Sequence, residues 1–169
     1  MITMLSRMFD YHAWANQDLF AVLARLDPVA QGDRLQAALR LVSHHHVVSR
    51  IFAGHLTGTA HGYQADNVAE TPDLDRLRAD VAASDRWYCD FVRDIRPDAL
   101  AQTVAFTFTD GDRGCMSRAE MLTHVVLHAG YHRGEAGRLV SQAGASPPWD
   151  TFAVFLHRTE PARRLDPTG

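Results

Sequence analysis

Residues 117–142 read SRAEMLTHVVLHAGYHRGEAGRLVSQ and predict one long helix, the element on which the fold depends. Ser117 and Glu120 have the spacing of a capping box, in which the two side chains satisfy free amides of the first helical turn. Gly144 and the Pro147-Pro148 pair are signals that end a helix, so we expect this one to stop at the end of the quoted stretch.

Three histidines, His124, His128 and His132, recur at every fourth position of this helix. At about 100° per residue, each lies about 40° round the helix from the last. The apolar Met121 and Val125 share this side, which predicts that the column faces inward. A lone inward histidine is usually hydrogen-bonded to backbone or a neighbouring side chain. Several can instead share one cation, because side chains four residues apart converge on one ion.

The second helix, predicted over residues 33–56, holds three consecutive histidines, His44, His45 and His46. Consecutive side chains point about 100° apart, so at most one or two of the three can reach one site. His44 and His46 each share a stripe with apolar residues. Periodicity therefore prefers His44 only weakly.

The other histidines are weaker candidates for metal ligands. His12 lies on the apolar side of the first helix and would be a reserve ligand or a hydrogen-bond partner of one. His55 lies roughly 16 Å along the second helix from the triple, too far to share an ion with it. We expect His61 and His157 to lie at the surface or to serve packing.

The remaining segments complete a helical protein. Apolar residues at spacings of three and four predict the first helix over residues 4–26. Thr71-Pro72-Asp73 opens a third helix, which Arg96-Pro97 closes. Alternation over residues 103–116, with a turn signal at Asp110-Gly111, predicts a small two-stranded hairpin.

These elements predict an all-α fold, a four-helix bundle with a small hairpin-like excursion before helix four. Residues 151–157 fit a helical turn or an extended tail. The residues alone leave the topology of the bundle open. With 169 residues the chain suits one domain, residues 1–169.

Composition excludes several classes of function. A net charge of -3 provides no basic field for nucleic acid. No segment approaches the roughly 18 apolar residues that span a bilayer, so we expect no membrane partner. Cys89 and Cys115 are far apart in sequence, which is typical of unpaired thiols in a reducing compartment. We therefore expect a cytoplasmic protein.

Three segments carry a resemblance to a known family: Tyr11–Asn16 (YHAWAN), residues 44–58, and residues 124–135, which end in YHRGE. With these segments the chain resembles the damage-inducible DinB branch of the DinB/YfiT superfamily, bacterial metal-binding four-helix proteins. The resemblance covers nearly the whole chain. It implies an up-down-down-up topology and a homodimer.

The resemblance also implies a set of metal ligands. The family's second helix has a histidine six residues before an arginine, and His44 stands in that relation to Arg50. The family's other two ligands correspond to His128 and His132. The implied site therefore consists of His44, His128 and His132.

Two charged residues flank the last of these histidines. Glu135 could orient a ligand imidazole or act on bound water, or it could pair with Arg138 as a surface glutamate. Arg133 is predicted to lie on another face of the helix from the histidine column. There it would anchor structure or a dimer contact rather than substrate.

Three imidazoles leave coordination positions free, which is typical of a reactive site. We therefore expect a protein that binds a divalent metal ion, zinc or nickel being the best matches. The resemblance implies a small-molecule substrate and an enzyme that activates a low-molecular-weight thiol, or water, for attack on a small electrophile. The alternatives are a non-catalytic metal-binding stress-response protein, a metal-dependent hydrolase, or a structural core of hydrogen-bonded histidines.

Overall fold

The structure is a computed structural model that describes residues 1–165. The predicted domain boundary at residue 169 lies outside the described residues. Helices and a hairpin follow one another along the chain: α1 Ile2–Leu23, α2 Gly32–Thr57, α3 Leu74–Asp94, β1 Thr103–Thr107, β2 Arg113–Ser117, α4 Arg118–Gln142 and α5 Phe152–Thr159. A 3-10 turn, Pro97–Ala101, precedes the hairpin, and another, Pro161–Arg163, follows α5.

The four long helices form a bundle whose topology can be read from its two apolar clusters. One cluster joins the beginnings of α1 and α4 to the ends of α2 and α3, with Phe9, Val125, Phe52 and Val92 among its members. The other joins the opposite ends of the same helices, with Leu19, Val140, Leu39 and Leu77 among its members. Helices α1 and α4 therefore run one way and α2 and α3 the other, which confirms the up-down-down-up bundle.

This topology requires a long connection between α2 and α3, because two parallel helices cannot be joined by a tight turn. Residues 58–73 make that connection. Gly58 begins it with a φ of 69°, a left-handed conformation that glycine adopts without steric cost. The connection passes beside α2 and brings Asp66 over the second helix, where it contacts His44.

The start of α4 is as predicted. The side chain of Ser117 accepts a hydrogen bond from the amide of Glu120, and Glu120 accepts one from the amide of Ser117. Two other predicted boundaries were wrong. Helix α3 begins after Asp73, whose side chain accepts from the Arg76 amide, rather than at Thr71.

Helix α1 ends at Leu23, three residues before its predicted end at Leu26. The amides of Arg25 and Leu26 bond to carbonyls three residues earlier, at Val22 and Leu23, so the chain tightens into a turn there. Leu26 is nevertheless buried, because this turn keeps its side chain against the core. The apolar spacing therefore extends to Leu26, beyond the last residue of α1, which explains why the predicted end was too late.

The predicted hairpin is confirmed. Strands β1 and β2 pair antiparallel, with Val104 opposite Met116. Phe106 is buried and packs on Phe52 of α2 with ring centroids 5.9 Å apart, so the hairpin lies against the bundle. Of the two possibilities for residues 151–157, a helical turn or an extended tail, the helix is observed, since residues 152–157 belong to α5. No helix in residues 1–165 is long and apolar enough to cross a membrane.

Candidate metal centre

Helices α2 and α4 bring three histidines together at their contact. His44 comes from α2, and His128 and His132 come from successive turns of α4. One ring nitrogen of each lies within 4.8 Å of the others, and each side chain is half-buried. This cluster of three histidines could hold a metal ion. The three residues implied by the family resemblance are therefore neighbours in space.

The hydrogen bonds around the cluster fix the tautomers of two of its rings. Nδ1 of His132 lies 2.8 Å from Oε2 of Glu135, and Nδ1 of His44 lies 2.9 Å from the backbone oxygen of Asp66. A carboxylate and a carbonyl only accept, so both Nδ1 atoms carry the proton. Nε2 of each ring is then free to donate its lone pair to an ion.

The spacing of these donors suits a transition-metal ion. Nε2 of His128 lies 3.2 Å from Nε2 of His132. Two nitrogens bound tetrahedrally at about 2.0–2.1 Å from zinc are about 3.3–3.4 Å apart, so little movement would be needed. Burial and the neighbouring imidazoles of His132, His124 and His44 lower the pKa of His128 to about 4. His128 is therefore neutral at pH 7, as a ligand must be.

The structure also selects among the three consecutive histidines of α2. Only His44 of the three belongs to the cluster, whereas His45 is fully buried on the side of α2 that faces α1. Burial lowers the pKa of His45 well below 6.5 and also lowers the pKa of His46. Neither ring nitrogen of His45 has a hydrogen-bond partner among the described residues.

A cavity of about 370 Å³ opens beside the cluster, and His44 and His128 form part of its wall. His124 also lines it, with its ring stacked on that of His128 at a centroid distance of 5.2 Å. His55 lies on the same cavity, packed on Phe106. His124 and His55 are therefore cavity residues outside the group of three. His61 contacts His55, and His157 is exposed.

A second buried polar group lies between α1, α3 and α4. Nε2 of His12 is 3.1 Å from Oδ1 of Asp85, and the Asn16 amide donates to both oxygens of that carboxylate at 3.0 Å. His12 is therefore held by α3 and is not a member of the three-histidine cluster. Sequence analysis missed Asp85. Its spacing could have indicated burial. Asp85 lies four residues after Val81 and three before Tyr88, which puts its carboxylate on the apolar side of α3.

Arg133 lies on another face of α4 from the histidine column, as predicted, and this face is also buried. It is only 2% exposed, whereas the histidine column beside it is half-buried. Its Nε donates to Oδ2 of Asp150 at 2.6 Å, and its Nη1 lies 3.1 Å from Nδ1 of His12. Helix α4 packs on both α2 and α1, so it has two buried faces: the histidines face α2 and Arg133 faces α1. The predicted anchoring role of Arg133 agrees with these contacts.

Tyr11 completes this group, because its hydroxyl donates to the same Asp150 carboxylate. Burial and this hydrogen bond raise the pKa of Tyr11 to about 12, so the phenol stays protonated. Tyr11, His12 and Asn16 all come from the YHAWAN segment, and Arg133 comes from YHRGE. These residues of the two segments therefore form a buried network, whereas His132 belongs to the three-histidine cluster and Glu135 is hydrogen-bonded to it.

Comparisons with known proteins agree with this architecture. The model of the DinB family matches residues 1–164. Protein DinB from Bacillus subtilis (strain 168) is 25% identical to this chain over an alignment of 170 positions, which covers 92% of this chain and 96% of that protein. No solved structure matches the chain significantly. The family match covers nearly all of the sequence, and the chain therefore belongs to the DinB family.

Proposed function

We propose that this protein binds one divalent ion, zinc or nickel, through His44, His128 and His132, and uses it in catalysis on a small molecule. The observation that carries the proposal is the convergence of three imidazole donors beside a cavity of about 370 Å³. A structural zinc site is closed by four protein ligands, whereas a catalytic site has three and keeps a position open. Three donors next to a cavity match the second arrangement.

The residues of the chain would prepare this site before any substrate enters. Glu135 and the Asp66 carbonyl hold the rings of His132 and His44 with Nε2 directed away from their hydrogen-bond partners. Burial keeps His128 neutral. When bound, such an ion lowers the pKa of water or stabilises a thiolate at neutral pH.

The reaction we propose is attack by a low-molecular-weight thiol, or by water, on a small electrophile. The sulfur or oxygen forms a bond to the electrophilic carbon, and the leaving group departs with the bonding electron pair. The proton of the nucleophile passes to solvent. The thiol is supported by the family resemblance and the open cavity supports an electrophile, so a thiol S-transferase is the first candidate and a hydrolase the second.

A paired activity measurement tests the proposal. Protein loaded with zinc or nickel is assayed with thiols and electrophiles in combination, and separately with esters and amides. We expect turnover by the native chain and a loss of at least about a hundredfold in His128→Ala. His157→Ala serves as the matched control, since His157 is exposed and lies on α5.

Circular dichroism of both variants separates loss of the site from loss of fold. Equal turnover in His128→Ala and the native chain would contradict the proposal. Metal-loaded protein without turnover across the panel would favour the alternative, a non-catalytic metal-binding protein.

A further inference from the structure

The cavity beside the histidine cluster has a wall built by the hairpin, and we call it the hairpin cavity. Its lining includes the rings of Phe52, Phe106 and Phe108 and the imidazoles of His44, His124 and His128. We propose that the hairpin cavity binds a compact, uncharged aromatic molecule, with Phe108 as a residue that determines specificity. Naming this molecule as the electrophile rests on the proposed function, but its binding does not.

The size of the cavity sets the first limit on the ligand. Its volume of about 370 Å³ lies at the lower end of the range of small-molecule sites. The cavity lies between α2, α4 and the hairpin, so a bound molecule would contact all three elements. A substituted single ring fits such a volume.

Its charge sets the second limit. Among the described residues that line the cavity, none is a lysine or an arginine, and the charged ones are Asp66 and Asp110. A carboxylate or phosphate entering the cavity would lose water without gaining a cationic side chain, and it would meet two acidic groups. In the metal-free chain, the side chains of the cavity therefore disfavour anions.

The arrangement of rings gives the third limit. The ring centroid of Phe52 lies 4.6 Å from that of His124, and His124 is stacked on His128. The Phe106 ring packs beside this group, with its centroid 4.8 Å from those of both His55 and Phe108. Ring faces and edges thus line the cavity close to the metal cluster. Aromatic ligands gain from such offset and edge contacts beyond simple burial.

Phe108 lines the cavity but is not part of the buried core of the bundle. Its side chain is 46% exposed, whereas Phe106 is buried. The ring passes over Gly114 on β2, where a Cβ would lie 2.9 Å from Phe108 Cε2. The absence of a side chain at Gly114 therefore allows the Phe108 ring to occupy this place. Exchange of Phe108 should change the cavity while leaving the core intact.

The test uses benzamide as the neutral aromatic probe and follows its dissociation constant by ligand-observed NMR. With the protein as purified, we expect Phe108→Ala to weaken benzamide binding about tenfold. Phe152→Ala is the matched control, because Phe152 is a partly exposed phenylalanine on α5, away from the cavity. Its affinity for benzamide should equal that of the native chain. Equal affinity in the native chain and Phe108→Ala would overturn the proposal.

A second arm tests the charge limit with benzoate, which has the same ring and a carboxylate. It uses protein stripped of metal by a chelator, with retention of helix checked by circular dichroism, because a carboxylate would otherwise bind the ion. We expect benzoate to bind at least about tenfold more weakly than benzamide. Equal or tighter binding of benzoate would overturn the inference.

The two failures can be told apart. A chain that binds benzamide through Phe108 but holds no metal contradicts the proposed function and supports the hairpin cavity. A chain that holds metal and whose benzamide affinity is insensitive to Phe108→Ala contradicts the hairpin cavity alone.

Discussion

His132 and Glu135 form a pair on one turn of α4, with Nδ1 of the imidazole donating to Oε2 of the carboxylate at 2.8 Å. The sequence allowed Glu135 to contact either a ligand histidine or Arg138. Among the ion pairs of the described residues, Glu135 pairs with His132 and not with Arg138. A carboxylate in this position fixes the ring and makes Nε2 a stronger donor.

Substitution of Glu135 separates the effect of the hydrogen bond from that of the charge. We expect Glu135→Ala to weaken metal binding by about 10–100-fold, since nothing then orients the His132 ring. Glu135→Gln should retain most of the affinity, because an amide oxygen still accepts from Nδ1. Competition with a chromophoric chelator measures both constants. Native affinity in Glu135→Ala would show that the pair does not support the site.

Replacement of His45 should stabilise the metal-free protein. Its side chain is 1% exposed, and neither ring nitrogen has a partner among the described residues. An apolar residue of similar size removes two unsatisfied polar atoms, so His45→Leu should raise the free energy of unfolding by about 1 kcal/mol. Urea denaturation at pH 7 measures the change. A decrease would mean that the imidazole has a partner, such as an internal water.

Removal of the Asp150 carboxylate should be among the most costly single changes. Arg133 is buried and its Nε donates to Asp150 at 2.6 Å, so Asp150→Ala leaves a buried guanidinium without its anion. We expect a loss of about 3–5 kcal/mol in the free energy of unfolding. Asp98→Ala is the control, because the Arg96–Asp98 pair is exposed and should contribute under about 1 kcal/mol. Similar losses in both variants would contradict this account of the network.

The reactivity of Cys89 should depend strongly on pH. Burial and the nearby Asp10 carboxylate raise the pKa of its thiol to about 11. The thiolate is the reactive form, so alkylation should be slow at pH 8 and rise about tenfold per pH unit until the pKa is reached. A Cys115→Ser variant isolates the signal, since Cys115 is a free, exposed cysteine on the hairpin. Rapid alkylation of Cys89 at pH 7 would contradict a raised pKa.

The fold was largely predictable because its signals are local. The capping box at Ser117, the period of three and four along each helix, and the turn signal at Asp110-Gly111 depend on residues close in sequence. The end of α1 at Leu23 and the start of α3 after Asp73 were not predictable to the residue, because hydrogen bonding in the terminal turn decides each of them. The direction of each helix came from family resemblance, as periodicity contains no information on it.

The site was predictable in part for the same reason. His128 and His132 share one helix, so their spacing places them together. His44 lies on another helix, and its choice over His46 depends on how α2 is rotated against α4, which the pattern of apolar residues left open. Asp85 and Asp150 meet their partners across 73 and 17 residues of chain. Such long-range pairs follow from packing and not from any local sequence signal.

Metal content of His128→Ala tests the central claim most directly. Protein expressed in medium supplemented with zinc or nickel is purified without chelators, and metal per chain is measured by elemental analysis beside the native chain and His157→Ala. We predict about one ion per chain in the native protein and in His157→Ala, and far less than one in His128→Ala with helical content unchanged. A native chain without metal, or a His128→Ala variant that retains the full ion, would contradict the three-histidine site.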